Sequence, residues 1–235
     1  MPNESSRWVK QYTITLPTWR LGLVLVLFTL TVTLIMARNL GYFLAPHSAH
    51  HSGLLVVEGW LSDEALHRAF THFTNHKYDM VVTTGGPILG DCDEHKNYAM
   101  RAQAVLIEAG IPADKIEAAP APASAQDRTF LSGVMLREWL LKQTTPYEYA
   151  DLYTGSVHAR RSQYLYQLAV GSRIQIGSIP SPPEEFTLEG WWRNSAGAKT
   201  VLIEFIGWSH AQCCFFPGQT GSLNEKWGPG HDNEN

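Results

Sequence analysis

The chain has 235 residues, of which 17% are charged and 44% are apolar, and its formal net charge is -4. This length suits one membrane segment followed by one domain of ordinary size. The slightly negative balance and the lack of any run of Lys or Arg argue against a basic surface for nucleic acid. We therefore predict no nucleic-acid partner.

An uncharged apolar run of 17 residues, Leu21–Ala37, lies between Arg20 and Arg38. As a helix it would be about 25 Å long, near the lower limit for crossing a bilayer. A buried core helix is the alternative, but such a helix usually carries a polar stripe, and this run has only scattered Thr. Trp19 and Tyr42 at its two ends suit the membrane interface. We predict a single transmembrane helix, with the lipid bilayer as its partner.

The charges that flank this run predict its orientation. Three basic residues precede it within residues 1–20, whereas Arg38 alone follows closely. The positive-inside rule then leaves the N-terminus in the cytoplasm and the domain on the periplasmic side. A cleaved signal peptide is the alternative, but Ala37 is preceded two positions earlier by bulky Ile35, a poor cleavage pattern. We favour an uncleaved anchor.

The remaining chain predicts one α/β domain over residues 54–208, after a juxtamembrane linker over 38–53. Residues 209–235 are expected to form a tail that is disordered from 217 onward. Short apolar strands alternate with helical segments, which predicts a Rossmann-like, open, mainly parallel five-stranded sheet with helices on both faces. The predicted strands are Leu54–Val57, Met80–Thr84, Lys115–Ala118, Tyr149–Thr154 and Arg173–Ile179.

Ligands of such sheets bind outside the carboxyl ends of the strands, where the strand order reverses. This rule selects four loops before any chemistry is considered. In the first loop, Glu58 and Gly59 are candidate ligand-binding residues. The four loops are Glu58–Trp60, Gly85–His95, Ala119–Ser124 and Gly155–His158.

The second loop begins with Thr84, Gly85 and Gly86, which we predict to bind ligand. Glycines allow backbone N–H groups to approach a ligand closely, and a Thr hydroxyl adds a donor. This chemistry suits a phosphate or the edge of a ribose. An ordinary tight turn is the alternative.

Glu94 lies at the start of the following helix and is a candidate catalytic acid or base. Its favourable interaction with the helix dipole is the alternative explanation. Asp91 and Asp93 share the loop and could form an oxygen-ligand site with Glu94. The spacing fits no recognised calcium loop, and we predict no metal.

The strongest local signal is the segment Thr154–Arg161, in which a Gly-Ser turn leads from a strand into a helix. Ser156, Arg160 and Arg161 are candidate ligands for an anionic group, since donors, helix dipole and guanidinium groups combine there. His158 is a candidate catalytic acid or base. A solvated helix face is the alternative, but two adjacent Arg oppose the dipole of a helix N-terminus and require a reason.

The remaining histidines carry a weaker signal. His72 and His76 are four residues apart on one helix, a spacing that metals use, but no zinc-protease pattern surrounds them. We interpret both as a polar helix edge. His47, His50 and His51 lie in the predicted linker, where they would bind metal only adventitiously.

The three cysteines, Cys92, Cys213 and Cys214, cannot all pair within one chain. In an oxidising compartment Cys92 could bridge to either of the other two, and unpaired cysteines are equally compatible with the sequence. The pairing stays open at this point.

The order of these features resembles the YdcF/SanA/ElyC-like family, a bacterial domain family of unknown function. The similarity covers about Leu54 to Trp208, and the last motif places the family's His and Arg at His158 and Arg161. The motifs that carry it are Thr83-Thr84-Gly85-Gly86, Glu94, Gly110-Ile111-Pro112 before Lys115-Ile116, and Thr154-Gly155-Ser156-Val157-His158-Ala159-Arg160-Arg161.

The resemblance implies a Rossmann-like fold, membrane anchoring, and roles in the cell envelope or in peptidoglycan biogenesis. It also implies a nucleotide-like ligand, with S-adenosylmethionine as one candidate cofactor. The chain departs from the family at Ala123–Thr129, where the usual Asn and Glu are missing, and in its first loop, Glu58-Gly59-Trp60. These departures leave the role of that helix start open and mark a subfamily with its own ligand.

Three functions are compatible with these observations. The first is a membrane-anchored domain that binds an envelope metabolite through its anionic group. This metabolite would be phosphorylated, nucleotide-like or lipid-linked, and an enzyme of this kind would also act on it. The second is a non-catalytic envelope scaffold, suggested by the altered Ser124–Thr129 segment. The third is a protein that binds S-adenosylmethionine, or a methyltransferase, although no acidic ribose-binding residue follows a Gly-rich first loop at the usual distance.

Overall fold

The computed structural model describes residues 18–88 and 97–228, and the chain divides into two units, Met1–Arg38 and Asn39–Asn235. The described part of the first unit is one helix, α1 (Trp19–Arg38), with a mean hydropathy of 2.2 and no buried residue. This helix is long and apolar enough to span a membrane. The helix predicted over residues 21–37 is confirmed, with slightly wider bounds.

The described residues of the second unit form a five-stranded parallel sheet in the order β3-β2-β1-β4-β5, which confirms the predicted fold class. The strands are β1 (Ser52–Glu58), β2 (Lys77–Gly85), β3 (Ile116–Pro120), β4 (Tyr149–Gly155) and β5 (Gln175–Ser181). The helices are α2 (Leu40–Leu44), α3 (Asp63–Asn75), α4 (Tyr98–Ala109), α5 (Arg128–Leu141), α6 (Ala159–Val170) and α7 (Ser195–Cys213).

The central strand β1 is apolar on both faces because helices cover both. Leu55 and Val57 pack in a cluster with α3 and α4. Leu54 and Val56 point the other way and pack in a cluster with α5 and α6. All four side chains have no exposed surface. A parallel strand buried on both sides has a continuous apolar sequence, which is why this strand was evident in the sequence.

The structure differs from the expected linker over residues 38–53. Leu40–Leu44 forms helix α2, and Leu44 is fully buried in a cluster with Val157, Trp191 and Val201. The strand β1 already begins at Ser52. The apolar side chains of this segment complete the core, so the segment belongs to the folded unit.

The C-terminal segment also differs from the expected disorder, since residues 214–228 fold back onto the domain. The carboxylate of Glu225 pairs with the guanidinium of Arg137 on α5, and these side chains are only 1% and 3% exposed. The hydroxyl of Thr220 donates to the carbonyl of Leu168 at 3.2 Å. A buried Arg needs an anionic partner, and the tail supplies it.

Replacing Glu225 with Ala should destabilise the protein by about 3 kcal/mol, because the buried Arg137 guanidinium then keeps, among the described carboxylates, only the longer, 3.4 Å contact to the partly exposed Glu138. For a chain of this size the melting temperature should fall by roughly 10 °C, measured by thermal unfolding of the full-length protein in detergent micelles. Glu108→Ala is the matched control, since Glu108 is an exposed residue on α4. An equal melting temperature for both variants would contradict the docked tail.

Candidate functional site

A cleft of about 1250 Å³ lies at the carboxyl edge of the sheet. The neighbouring strands β1 and β4 both end there, at the point where the strand order reverses. Each of the four loops selected from the sequence supplies lining residues, among them Glu58, Gly86, Ser124 and Ser156. The helix α7, which was not assigned to the site from the sequence, forms a further wall.

Glu58 lies buried in the floor of the cleft, where its carboxylate accepts several hydrogen bonds. Its carboxylate accepts hydrogen bonds from the Thr154 hydroxyl, from the Ser162 hydroxyl at 3.1 Å and from the Trp60 indole N–H at 3.1 Å. Only 2% of the residue is exposed. Because these donors occupy it, Glu58 holds β1, β4 and α6 in register and shapes the cleft.

The three predicted glycines have different surroundings. A Cβ atom on Gly59 would lie 2.2 Å from the backbone oxygen of Tyr98, so Gly59 serves the close packing of β1 against α4. Gly85 has φ +152°, and its Cβ would lie 2.8 Å from that of Tyr98. A Cβ atom on Gly86 would lie 3.6 Å from its nearest neighbour, the backbone oxygen of Pro122. Among these three, only Gly86 would tolerate a Cβ atom at ordinary van der Waals distances, so its backbone is the least crowded.

The two hydroxyl groups predicted to bind ligand, those of Thr84 and Ser156, differ in their hydrogen-bond partners. The hydroxyl of Thr84 lies 2.6 Å from that of Tyr166, and both residues are buried. Burial raises the pKa of Tyr166 well above its usual range, so this phenol stays neutral. Ser156 lines the cleft, and its buried hydroxyl has no hydrogen-bond partner among the described residues. Ser156 is therefore the hydroxyl available to a ligand.

His158 and Arg161 converge on one carboxylate, that of Glu204 on α7. The Nδ1 atom of His158 lies 2.9 Å from Oε1 of Glu204. Arg161 donates to both carboxylate oxygens, from Nε at 2.9 Å and from Nη2 at 3.1 Å. All three residues line the cleft, and the ring of Trp60 meets that of His158 edge-on, with centroids 5.2 Å apart.

This network fixes both the charge and the orientation of the site. Burial alone would raise the pKa of Glu204, but the hydrogen bond and charge of His158, together with Arg161, lower it to about 2. The carboxylate is thus an acceptor at neutral pH. Nδ1 of His158 lies 2.9 Å from Oε1 of Glu204 and 3.0 Å from Nη2 of Arg161. Because the carboxylate only accepts, its contact favours a proton on Nδ1, which leaves Nε2 to exchange protons. Since Arg161 is already neutralised, it is less suited to hold an anionic ligand than the sequence suggested.

The structure separates Arg160 from its neighbour. The guanidinium of Arg160 donates a hydrogen bond to the backbone carbonyl of Phe43. It also lies 4.0 Å from the centre of the Phe43 ring. Arg160 is not among the described residues that line the cleft. Arg128, at the start of α5, does line it and is exposed, and forms no ion pair within the described part of the chain. Arg128 is the better candidate for an anionic group.

Carboxylates dominate the cleft overall. Its described lining contains five carboxylates and two guanidinium groups, and one of the latter is paired with Glu204. The excess of negative charge disfavours a highly charged anion. Four of the five carboxylates already have partners within the chain, namely Glu58, Asp127, Glu184 and Glu204. The acceptors offered to hydroxyl groups are therefore Glu185 and the remaining lone pairs of the other four.

Some of the predicted residues lie outside the described part of the chain. Glu94, the other candidate catalytic residue, is one of them, as are Asp91, Asp93 and Cys92. Cys213 and Cys214 form a disulfide with each other at the end of α7. Neither of them is therefore paired with Cys92, as the sequence had allowed.

Glu204 and Trp60 were not named as site residues from the sequence, although Trp60 lies in the first selected loop, and Arg128 was left open between the crevice and a surface ion pair. Glu204 is the only acidic residue of α7, a helix rich in apolar side chains. A lone carboxylate in such a helix needs a partner when it is buried, and this signal could have drawn attention to it. Its partners, more than 40 positions earlier, could not be identified from local patterns.

No protein-family model matches the chain, and comparisons with curated proteins and with solved structures also found no match. The resemblance to the YdcF/SanA/ElyC-like family therefore rests on the sequence motifs alone and stays a prediction. The function of the chain has to be inferred from the geometry of the cleft.

Replacing Glu204 with Gln should destabilise the protein by roughly 3 kcal/mol at pH 7, because it removes the anion between His158 and Arg161. The pKa of Glu204 is depressed from its usual 4.5 to about 2, so its stabilising contribution is present above pH 4.5 and is lost as the pH falls toward 2. The difference in melting temperature between wild type and Glu204→Gln should therefore narrow below pH 4.5.

Thermal unfolding of the full-length protein between pH 7 and pH 3 measures this difference. Glu108→Gln, at an exposed position, should match the wild type throughout. A Glu204→Gln variant as stable as wild type at pH 7 would contradict the network, as would a difference that stays constant down to pH 3.

Proposed function

We propose that this chain is a membrane-anchored domain that binds a lipid-linked envelope metabolite in the cleft, with His158 as a proton-transferring group and a role in cell-envelope or peptidoglycan biogenesis. The observation that carries the proposal is the His158–Glu204 pair in the wall of a cleft at the strand-order reversal. A carboxylate that orients a histidine is a common arrangement for acid–base chemistry.

Membrane anchoring favours a ligand held in the bilayer. Asn39 alone separates α1 from α2, and α2 already belongs to the folded unit. If α1 spans the membrane, covalent connection therefore keeps α2 close to the bilayer surface. The flanking charges favour export of the domain, and an exported cleft has poor access to cytosolic nucleotides or to cytosolic S-adenosylmethionine.

The outer face of α7 also favours a lipid-linked ligand. Leu202, Ile203 and Ile206 are 48%, 54% and 66% exposed, although α7 also carries Glu204 into the cleft. Phe43 of α2 packs edge-on against Trp208 of α7, with ring centroids 4.9 Å apart. An exposed apolar face on a helix that also lines the cleft suits contact with lipid, so a lipid-linked ligand would reach the cleft along α7.

The lining suggests which part of the ligand it recognises. The excess of carboxylates suits hydroxyl-rich groups such as sugars, and the 44% exposed ring of Trp60 offers an apolar face for a sugar ring. A single phosphate group would find Arg128, the open backbone at Gly86 and the Ser156 hydroxyl. These features together favour a sugar joined to a lipid through phosphate over a soluble nucleotide.

Binding by the full-length protein in lipid nanodiscs tests this proposal. The probes are a polyprenyl-phosphate-linked sugar, the corresponding polyprenyl phosphate and a sugar nucleotide. We expect the lipid-linked sugar to bind at least about tenfold more tightly than the sugar nucleotide. Trp60→Ala should weaken binding of the lipid-linked sugar about tenfold, and Arg128→Gln should weaken binding of both lipid probes by a similar factor.

Glu108→Gln serves as the matched control and should bind as wild type does. Failure of all three probes to bind would remove the proposal. Equal affinities in wild type, Trp60→Ala and Arg128→Gln would remove the cleft as the binding site.

A second candidate ligand is S-adenosylmethionine, which the family resemblance implies. One observation favours it: the five carboxylates of the described lining suit a ligand that carries a sulfonium and an amino cation. Calorimetry with S-adenosylmethionine on the same preparation distinguishes the two ligands. Glu184 lies at the rim of the cleft. If Glu184→Gln weakens the binding of S-adenosylmethionine, the result would support this cationic ligand in place of the lipid-linked sugar.

A further inference from the structure

Three histidines meet at the opposite end of β1 from the cleft. His51 directly precedes β1, whereas His72 and His76 lie in and just after the last turn of α3. One ring nitrogen from each lies within 4.8 Å of the other two. The rings of His51 and His76 are stacked with centroids 4.3 Å apart, and those of His72 and His76 are 4.1 Å apart.

Hydrogen bonds determine which nitrogen of His76 and of His72 has a free lone pair. Nδ1 of His76 lies 2.8 Å from the carbonyl oxygen of His72, and because a carbonyl only accepts, Nδ1 carries the proton and Nε2 is free. Tyr78 donates its hydroxyl proton to Asp151 at 2.7 Å. Its oxygen therefore accepts from Nε2 of His72 at 3.1 Å, which leaves Nδ1 of His72 free.

Asp151 supports the cluster from behind, with no exposed surface. Its carboxylate accepts from the backbone N–H of His51 at 2.7 Å and of His50 at 2.9 Å, in addition to Tyr78. Thus one buried carboxylate fixes the backbone of His51 and, through Tyr78, the ring of His72. Outer partners of this kind orient the histidines of metal sites.

His51 gives an independent indication of a ligand. Its Nδ1 atom is buried and has no hydrogen-bond partner among the described residues. Its backbone has φ +60°, a conformation that residues other than glycine rarely adopt. A buried unpaired nitrogen on a strained residue is costly unless something binds it.

We propose that His51, His72 and His76 bind a divalent transition-metal ion, with zinc as the best match, and that water completes the tetrahedron. Three nitrogen ligands select zinc, copper or nickel over magnesium and calcium, which prefer oxygen. The ion would join the start of β1 to the end of α3 and stabilise that end of the sheet. From the sequence we expected no metal and treated these histidines as two unrelated groups, but the fold brings them together.

Zinc chloride titrated by calorimetry into metal-free, full-length protein prepared without a polyhistidine tag tests the site. We expect one zinc ion per chain and a rise in melting temperature on binding. His76→Gln should weaken zinc binding about a hundredfold, because it removes one of three ligands. Tyr78→Phe should weaken it about tenfold, since the ring of His72 loses its orienting partner.

His67→Gln is the matched control, since His67 is exposed on the same helix, and it should bind zinc as wild type does. Cobalt substituted for zinc should give the intense visible absorption of a tetrahedral site. Equal zinc affinity in His76→Gln and His67→Gln would overturn the proposal, and so would a weak octahedral cobalt spectrum. His76→Gln is chosen over a substitution of His72, because His76 lies just beyond the end of α3. Within the described part of the chain its ring makes a hydrogen bond only to the backbone carbonyl of His72, so its replacement should leave the fold intact.

Discussion

Glu58 ends the central strand with its carboxylate buried among donors from three different parts of the chain: Trp60, Thr154 and Ser162. At this point β1 and β4 separate, because the chain after β1 turns into α3 and the chain after β4 turns into α6. The three donors would be buried without acceptors if the carboxylate were absent, and such groups are costly to leave unpaired. The opening between β1 and β4 therefore depends on this one acceptor.

Asp151 has the corresponding role at the other end of the same strand pair. It ties β4 to the start of β1 through His50 and His51 and to β2 through Tyr78. Apolar side chains fill the sheet between these two carboxylates. Each carboxylate holds a group of polar side chains in place, the cleft at one end and the three histidines at the other. Rigid support of this kind is what a functional group of side chains requires.

Much of the fold was evident in the sequence because it depends on local patterns. The apolar strands, the helix stop at Gly110 and the apolar run of α1 each carry their signal within a few residues. The position of the cleft could be predicted from a general rule for parallel sheets. Helix α2 was missed because five residues are too few to show a helical period, and the docked tail because its composition resembles that of a disordered segment.

The contacts that define the two sites could not be predicted because they join distant parts of the chain. Glu204 contacts Arg161 and His158 in space, although β5 and the long segment before α7 separate them along the chain. His51 meets His72 only because β1 and α3 pack side by side. The free Arg161 that the sequence suggested is instead paired with Glu204, and this single contact changes the expected ligand from a strong anion to a hydroxyl-rich one.

Acid–base chemistry in the cleft depends on Glu204, which orients His158 through Nδ1 and leaves Nε2 to exchange protons. Long-range proton–nitrogen correlation spectra of the full-length protein, with ¹⁵N-labelled histidine and His158→Gln for assignment, report which ring nitrogen carries the proton. We predict that Nδ1 of His158 carries the proton that faces Glu204. A proton on Nε2, with Nδ1 accepting from Arg161, would contradict this claim.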